Sequence, residues 1–265
     1  MRHLTIALLM LSAVGAVRAQ TPVIATGGTV NGVTYAPGQP VAPGSIASIF
    51  GSDLASSLAQ ADSIPLSARL ADVSVTMNGV AAPLFFVSGG QINVQVPWDV
   101  LPAGVDSGAA TVVVTRGTTA SNSQSVQITP VSPAIFTVMD GVGNAIAINA
   151  DGSIAAPVGA ISGLNSHPAH AGDAIVILAT GLGAVTPAST NGANSADQLR
   201  RTVVTPTILV GGKTAELLFS GLSPSFTGVN QINVVVPAGV SGPSVALQVK
   251  IGDLITSDKV TIAIE

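Results

Sequence analysis

Residues able to do acid–base or metal chemistry are few in this sequence, and their spacing is unhelpful. His167-Pro168-Ala169-His170 sets two imidazoles in one proline-containing loop, with Asp173 the first acid downstream. A zinc site needs three or four ligands in defined geometry, so the pair reads as loop histidines before a strand. Cysteine is absent, which removes thiolate nucleophiles and thiolate metal sites together. The nearest approach to a hydrolase nucleophile elbow, Gly221-Leu222-Ser223-Pro224-Ser225, lacks its second glycine, and no strand-to-helix turn follows it. Asp140-Gly141-Val142-Gly143-Asn144 and Asn149-Ala150-Asp151-Gly152 hold oxygen ligands at turns without EF-hand spacing. Plain turn chemistry and a composite calcium site both stay open there. The 13 acidic residues are scattered through loops, and a glycosidase needs two of them facing each other across a cleft. No phosphate loop or dinucleotide fingerprint occurs. The expectation is no catalytic residue, no cofactor and no enzyme.

Residues suited to binding are more evident. Trp98 and Tyr35 are the only tryptophan and tyrosine; an exposed ring of either kind would stack on a sugar face while its N–H or O–H stays available. Trp98 equally suits the end of a sandwich core. Arg200-Arg201 is the one adjacent basic pair after the first 19 residues. It lies at the end of the loop Ala188–Arg201, which has a counterpart in Ala55–Leu70, and long loops on rigid scaffolds are where binding residues gather. Trp98, Tyr35, Arg200 and Arg201 are therefore the candidate ligand-binding residues. Gln91, Asn93 and Gln95, with Gln231 and Asn233, form polar rows that would face solvent, a ligand or a neighbouring loop.

These residues sit on a duplicated set of strands. Gln91-Ile92-Asn93-Val94-Gln95-Val96-Pro97 recurs as Gln231-Ile232-Asn233-Val234-Val235-Val236-Pro237, and each copy runs into a Pro/Gly turn. Val75–Gly79 followed by Leu84-Phe85-Phe86 parallels Ile208–Gly212 followed by Leu217-Leu218-Phe219, and Pro43–Phe50 parallels Ala171–Leu178. Matching order in both halves marks a repeat. Within it the apolar residues alternate, as in Ile92, Val94 and Val96, or Val245, Leu247, Val249 and Ile251. Period two is the mark of a half-buried strand. Turn signals such as Asn78-Gly79 and Gly252-Asp253 separate the runs, and no sustained 3.6-residue apolar stripe appears. Many short strands per half predict two tandem immunoglobulin-like β-sandwiches, over residues 25–130 and 171–265. A short β-hairpin connector, 131–170, is expected to join them, opened by the stiff segment Thr129-Pro130-Val131-Ser132-Pro133.

Composition bounds the rest. Of 265 residues 47% are hydrophobic and only 8% charged, with a net charge of −4. That balance supplies two cores and offers no electrostatic footprint for nucleic acid. Arg2 and His3, then the apolar run Leu4–Val17, then Val17-Arg18-Ala19 have the order of a signal peptide cleaved before Gln20. The run is shorter than the roughly 20 residues of a membrane span, so export without membrane insertion is expected. A secreted or periplasmic chain without disulfides must draw its stability from sheet burial.

The segments Asn78–Val87 and Gly90–Pro97, with Ser132-Pro133-Ala134-Ile135-Phe136-Thr137, Ile148–Ser153, Ala179-Thr180-Gly181-Leu182-Gly183 and Gly228–Asn233, together resemble the C-terminal domain abundant in secreted proteins of Solibacter and other Acidobacteria. The resemblance spans roughly residues 25 to 265. It implies export and a sandwich similar to bacterial Ig-like and IPT/TIG domains, and it brings no activity with it. The sequence thus points to a non-enzymatic, adhesion-type protein whose partner is an extracellular protein or polysaccharide, the alternative being a pair of carbohydrate-binding modules.

Overall fold

A computed structural model describes residues 20–139 and 141–265; residues 1–19, read from sequence as a signal peptide, and Asp140 lie outside the described residues. The chain forms two immunoglobulin-like β-sandwiches, and among the described residues there is no helix.

In the first module one sheet runs, in spatial order, through Val23–Asn31, Ile46–Ser52, Gln91–Gln95, Leu84–Val87 and Ala59–Gln60. The other is built on Gly108–Arg116, flanked by Val73–Met77 and Gln124–Ile128. The second module repeats the arrangement. Ala174–Thr180, Asn230–Val235 and Glu216–Leu222 are neighbours in one sheet, and Gly242–Ile251 lies between Thr207–Val210 and Val260–Ile264 in the other. Even the registers correspond: Ile46 pairs with Gln95 and Phe50 with Gln91, as Ala174 pairs with Val235 and Leu178 with Gln231.

Period-two alternation builds each core. Ile49, Ile92, Val94, Val75, Val112 and Val114 close one interior, and Ile177, Ile232, Val234, Ile208, Leu247 and Ile262 close the other; all are fully buried. Each such side chain contributes roughly 1.5–3 kcal/mol when taken out of water. The cores are separate clusters, so the modules are distinct units.

The 131–170 segment is where the structure departs from expectation. It does contain a hairpin, Thr137–Met139 against Val142–Ala145. That hairpin is built into the second sandwich instead of standing between the two. Ala134–Ile135 and Ala147–Ile148 pair with Ala174–Thr180, and Val142–Ala145 runs parallel to Val260–Ile264. Ile135, Ala145, Ala147, Ala155 and Ala169 enter its core. The physical reason is the repeat itself: Ala174–Thr180 needs an outer partner, as Ile46–Ser52 has in Val23–Asn31. The second module therefore begins near Val131.

Direct contact, not the hairpin, joins the modules. Gln95, expected in an outward polar row, is 1% exposed. Its side-chain oxygen accepts from the Gly192 amide at 2.6 Å, and its Nε2 donates to the Gly44 carbonyl at 3.4 Å. From the same loop, Asn191 accepts from the Trp98 amide and donates to the Asp99 carboxylate, both at 2.8 Å. The Leu66 amide and the Thr227 hydroxyl both donate to the Gly192 carbonyl, at 2.8 and 3.0 Å. Gly192 has φ +82°, and a β-carbon there would stand 2.6 Å from the Leu66 carbonyl oxygen, so only glycine fits. On the other flank, buried Thr180 accepts from the Ile46 amide and donates to the Gly228 carbonyl.

Candidate functional site: a junction cleft and a groove on the second module

The clamp leaves a cleft of about 640 Å³ between the modules. Asp62, Ser63, Ile64 and Phe85 wall it from the first module, and Phe226 and Val229 from the second. Phe226 is 55% exposed and Ile64 46% exposed. Phe226 lies in the turn Ser223–Gly228, whose Ser225 amide donates to the Ser223 hydroxyl. Phe85 lies at the irregularity where Leu84–Val87 shifts register against Gln91–Gln95. Such a bulge turns a side chain away from strict alternation.

A second recess, about 440 Å³, lies on the second module between the loop ending at Arg201 and the face of Asn230–Val235. Arg201 rests its guanidinium over the Phe219 ring, 5.0 Å from the centroid. Gln231 Nε2 donates to Asn233 Oδ1 at 3.0 Å, and Leu199 and Leu222 supply apolar wall.

The residues singled out from sequence have separate fates. Arg201 lines this groove. Arg200 does not: it stands just before the short strand Arg201–Thr202 and turns inward, its side chain 7% exposed. It donates to Asp197 at 2.6 and 2.9 Å, to the Ala188 carbonyl and to Ser195. Its hydrogen bonds hold the Asp197 carboxyl at about 2. Arg200 is a brace for its own loop, which corrects its assignment as a ligand-binding residue. Trp98 is half-buried with its ring against Gly44, where a β-carbon would come within 2.2 Å of the indole. Its Nε1 is buried without a partner, so the polar handle of a sugar platform is turned away from solvent. Tyr35 is half-buried at φ 52°, tilted against Phe50 with centroids 6.0 Å apart. Neither Trp98 nor Tyr35 belongs to the cleft or the groove.

The histidine loop is occupied by carboxylates. His167 Nε2 lies 3.0 Å from Asp151 Oδ2, and His170 lies between Asp173 and Glu265. Asp151 is held down to about 2, first by the Ser153 hydroxyl and amide, then by His167. His167 is raised above its ordinary value, first by the Pro168 carbonyl and then by Asp151. Among the described residues no cluster of three histidines and acids is arranged to hold a metal, and no helix is long and apolar enough to cross a membrane.

Sequence reasoning passed over Phe85, Phe219 and Phe226. A signal for the first two was present, because a phenylalanine precedes the Gln-Ile-Asn motif in both repeats. Nothing marked Phe226, whose exposure depends on the junction.

No family model matches the chain, and no curated protein matches it. Among solved structures it is similar to SGBP-B from the Bacteroides ovatus mixed-linkage glucan utilization locus, in complex with a mixed-linkage heptasaccharide, at TM-score 0.33 and 15% identity. That alignment covers 86% of this chain and 44% of the other, so the chain spans less than half of that protein. Domains 5–6 of the S-layer protein SbsC align at TM-score 0.27 and 14% identity, over 92% of this chain and 98% of that one. The I9–I11 tandem of titin aligns at 0.22 and 11%, over 85% and 64%. Likeness at this level speaks to neither ligand nor activity.

Proposed function

We propose that the chain is an exported, non-enzymatic binding protein of adhesion type that holds an extracellular ligand in the cleft between its sandwiches. The observation carrying this reading is the cleft itself, walled by loops of both modules, with Phe226 and Ile64 left exposed inside it. Contiguous apolar surface on a soluble protein marks a site that a partner covers. Pockets of a few hundred Å³ at the junction of rigid units are favoured places for ligands. The Gln95–Gly192 clamp holds the walls apart, so little ordering free energy is lost on binding.

Of the two extracellular partners, the wall composition favours a polysaccharide. Phe85 and Phe226 offer apolar faces to the C–H face of a sugar ring, with Ser63 and Asp62 beside them for its hydroxyls. An array of polysaccharides and extracellular proteins, probed with the wild type and Phe226→Ala, tests the reading. Retention on a polysaccharide, weakened about tenfold or more in the variant, is expected for loss of a central aromatic anchor. Absence of retention, or retention that Phe226→Ala leaves unchanged, overturns it.

A further inference from the structure

We infer that the groove of Arg201, Phe219, Gln231 and Asn233 is a carboxylate-reading site that takes a uronic-acid residue of an acidic polysaccharide. It shares no lining residue with the junction cleft, and it stands or falls separately from the reading of that cleft.

Arg201 carries the argument. Arg200, one position before it, is buried and paired with Asp197; Arg201 is exposed and makes no ion pair among the described residues. A free arginine usually samples many rotamers. This one is fixed by stacking on Phe219, an attraction that holds the guanidinium plane while leaving its N–H edges open. A planar fork with fixed donors matches a carboxylate held by two parallel hydrogen bonds.

The surroundings match the remainder of a sugar. The Gln231–Asn233 hydrogen bond fixes both amides and leaves the Asn233 Nδ2 donors, the second Gln231 N–H and the Gln231 Oε1 for ring hydroxyls. Leu199, 62% exposed, and Leu222 supply wall for the apolar face. An acidic peptide is ordinarily read by clustered cations, and this groove has one. General attraction of a polyanion is also absent, because the chain carries a net charge of −4. Recognition has to come from the local site.

The repeat supplies an internal comparison. The first module has the same amide ladder, Gln91 Nε2 to Asn93 Oδ1 at 2.8 Å, and Phe86 faces Asn93 as Phe219 faces Asn233. Its edge strand there is Ala59–Gln60, with no cation. The carboxylate reader is what the second copy adds to a shared scaffold.

Titration calorimetry of residues 20–265 with polygalacturonate, neutral mixed-linkage glucan and polyglutamate tests this, using the wild type and Arg201→Gln, Arg201→Lys, Gln91→Ala and Phe226→Ala. Polygalacturonate is expected to bind the wild type, about tenfold or more weakly to Arg201→Gln, the loss of one charge-assisted pair. Arg201→Lys should recover only part of the loss, and Gln91→Ala, which lines neither recess, should bind as the wild type does. Circular dichroism confirms folding of each variant. The inference is overturned by no polygalacturonate binding, by binding indifferent to Arg201, by equal Arg201-dependent binding of polyglutamate, or by loss that follows Phe226 instead.

Discussion

One step along the chain separates a brace from a reader: Arg200 is enclosed by Asp197, Ser195 and the Ala188 carbonyl, while Arg201 is left on the surface over Phe219. The dipeptide was legible as the notable basic pair, but the side on which each member falls was not. That depends on the pairing of Arg201 with Gly221, a contact no local pattern announces. The other polar cluster makes a testable statement about protons. As the imidazolium, His167 donates from Nδ1 to the Pro168 carbonyl and from Nε2 to the Asp151 carboxylate, so both contacts favour the charged form. Its native pKa is therefore raised, and the stability it contributes is fully present below the ordinary value of 6.5. That contribution is lost as the pH rises through the raised native value. An NMR titration should give a His167 midpoint above 6.5, and Asp151→Asn should bring it part of the way down, the Pro168 carbonyl holding the rest. Asp151 works in the opposite direction: its contribution is complete above 3.8 and fades as the pH falls through about 2.

Strand identity was largely legible because burial of one face imposes alternation, and Gln91–Gln95, Gly242–Ile251 and Val260–Ile264 fall where the sequence puts them. For Gln95 a neighbouring loop was one of three roles left open, and the choice was not legible, since the group that buries it lies 97 positions away in the loop carrying Gly192. The same blindness made 131–170 look like a hairpin connector between the modules. Its pairing with Ala174–Thr180 is set by a vacant edge, not by its own residues. The loop Ala188–Arg201 looked like a binding loop, and half of it is a latch. Gly192→Ala should expose that role: it forces a side chain into left-handed backbone and against the Leu66 carbonyl. We expect about 2 kcal/mol or more of lost stability, read from the urea midpoint. Limited proteolysis should then cut within residues 188–201, a segment the wild type protects.

At the scale of the whole molecule, duplication followed by divergence accounts for what is seen. Two copies of one sandwich keep the same registers, and their unlike loops make a junction. Neither copy alone contains the cleft, since its walls come from both. Everything proposed for that cleft depends on the two sandwiches holding one fixed relation in solution. Residual dipolar couplings of residues 20–265, recorded in a single alignment medium, report on this directly. One alignment tensor should fit the amides of both sandwiches together, with the same magnitude and orientation as each gives alone. Two sandwiches requiring different tensors would mean that the junction swings freely, and the cleft would not exist as a built site.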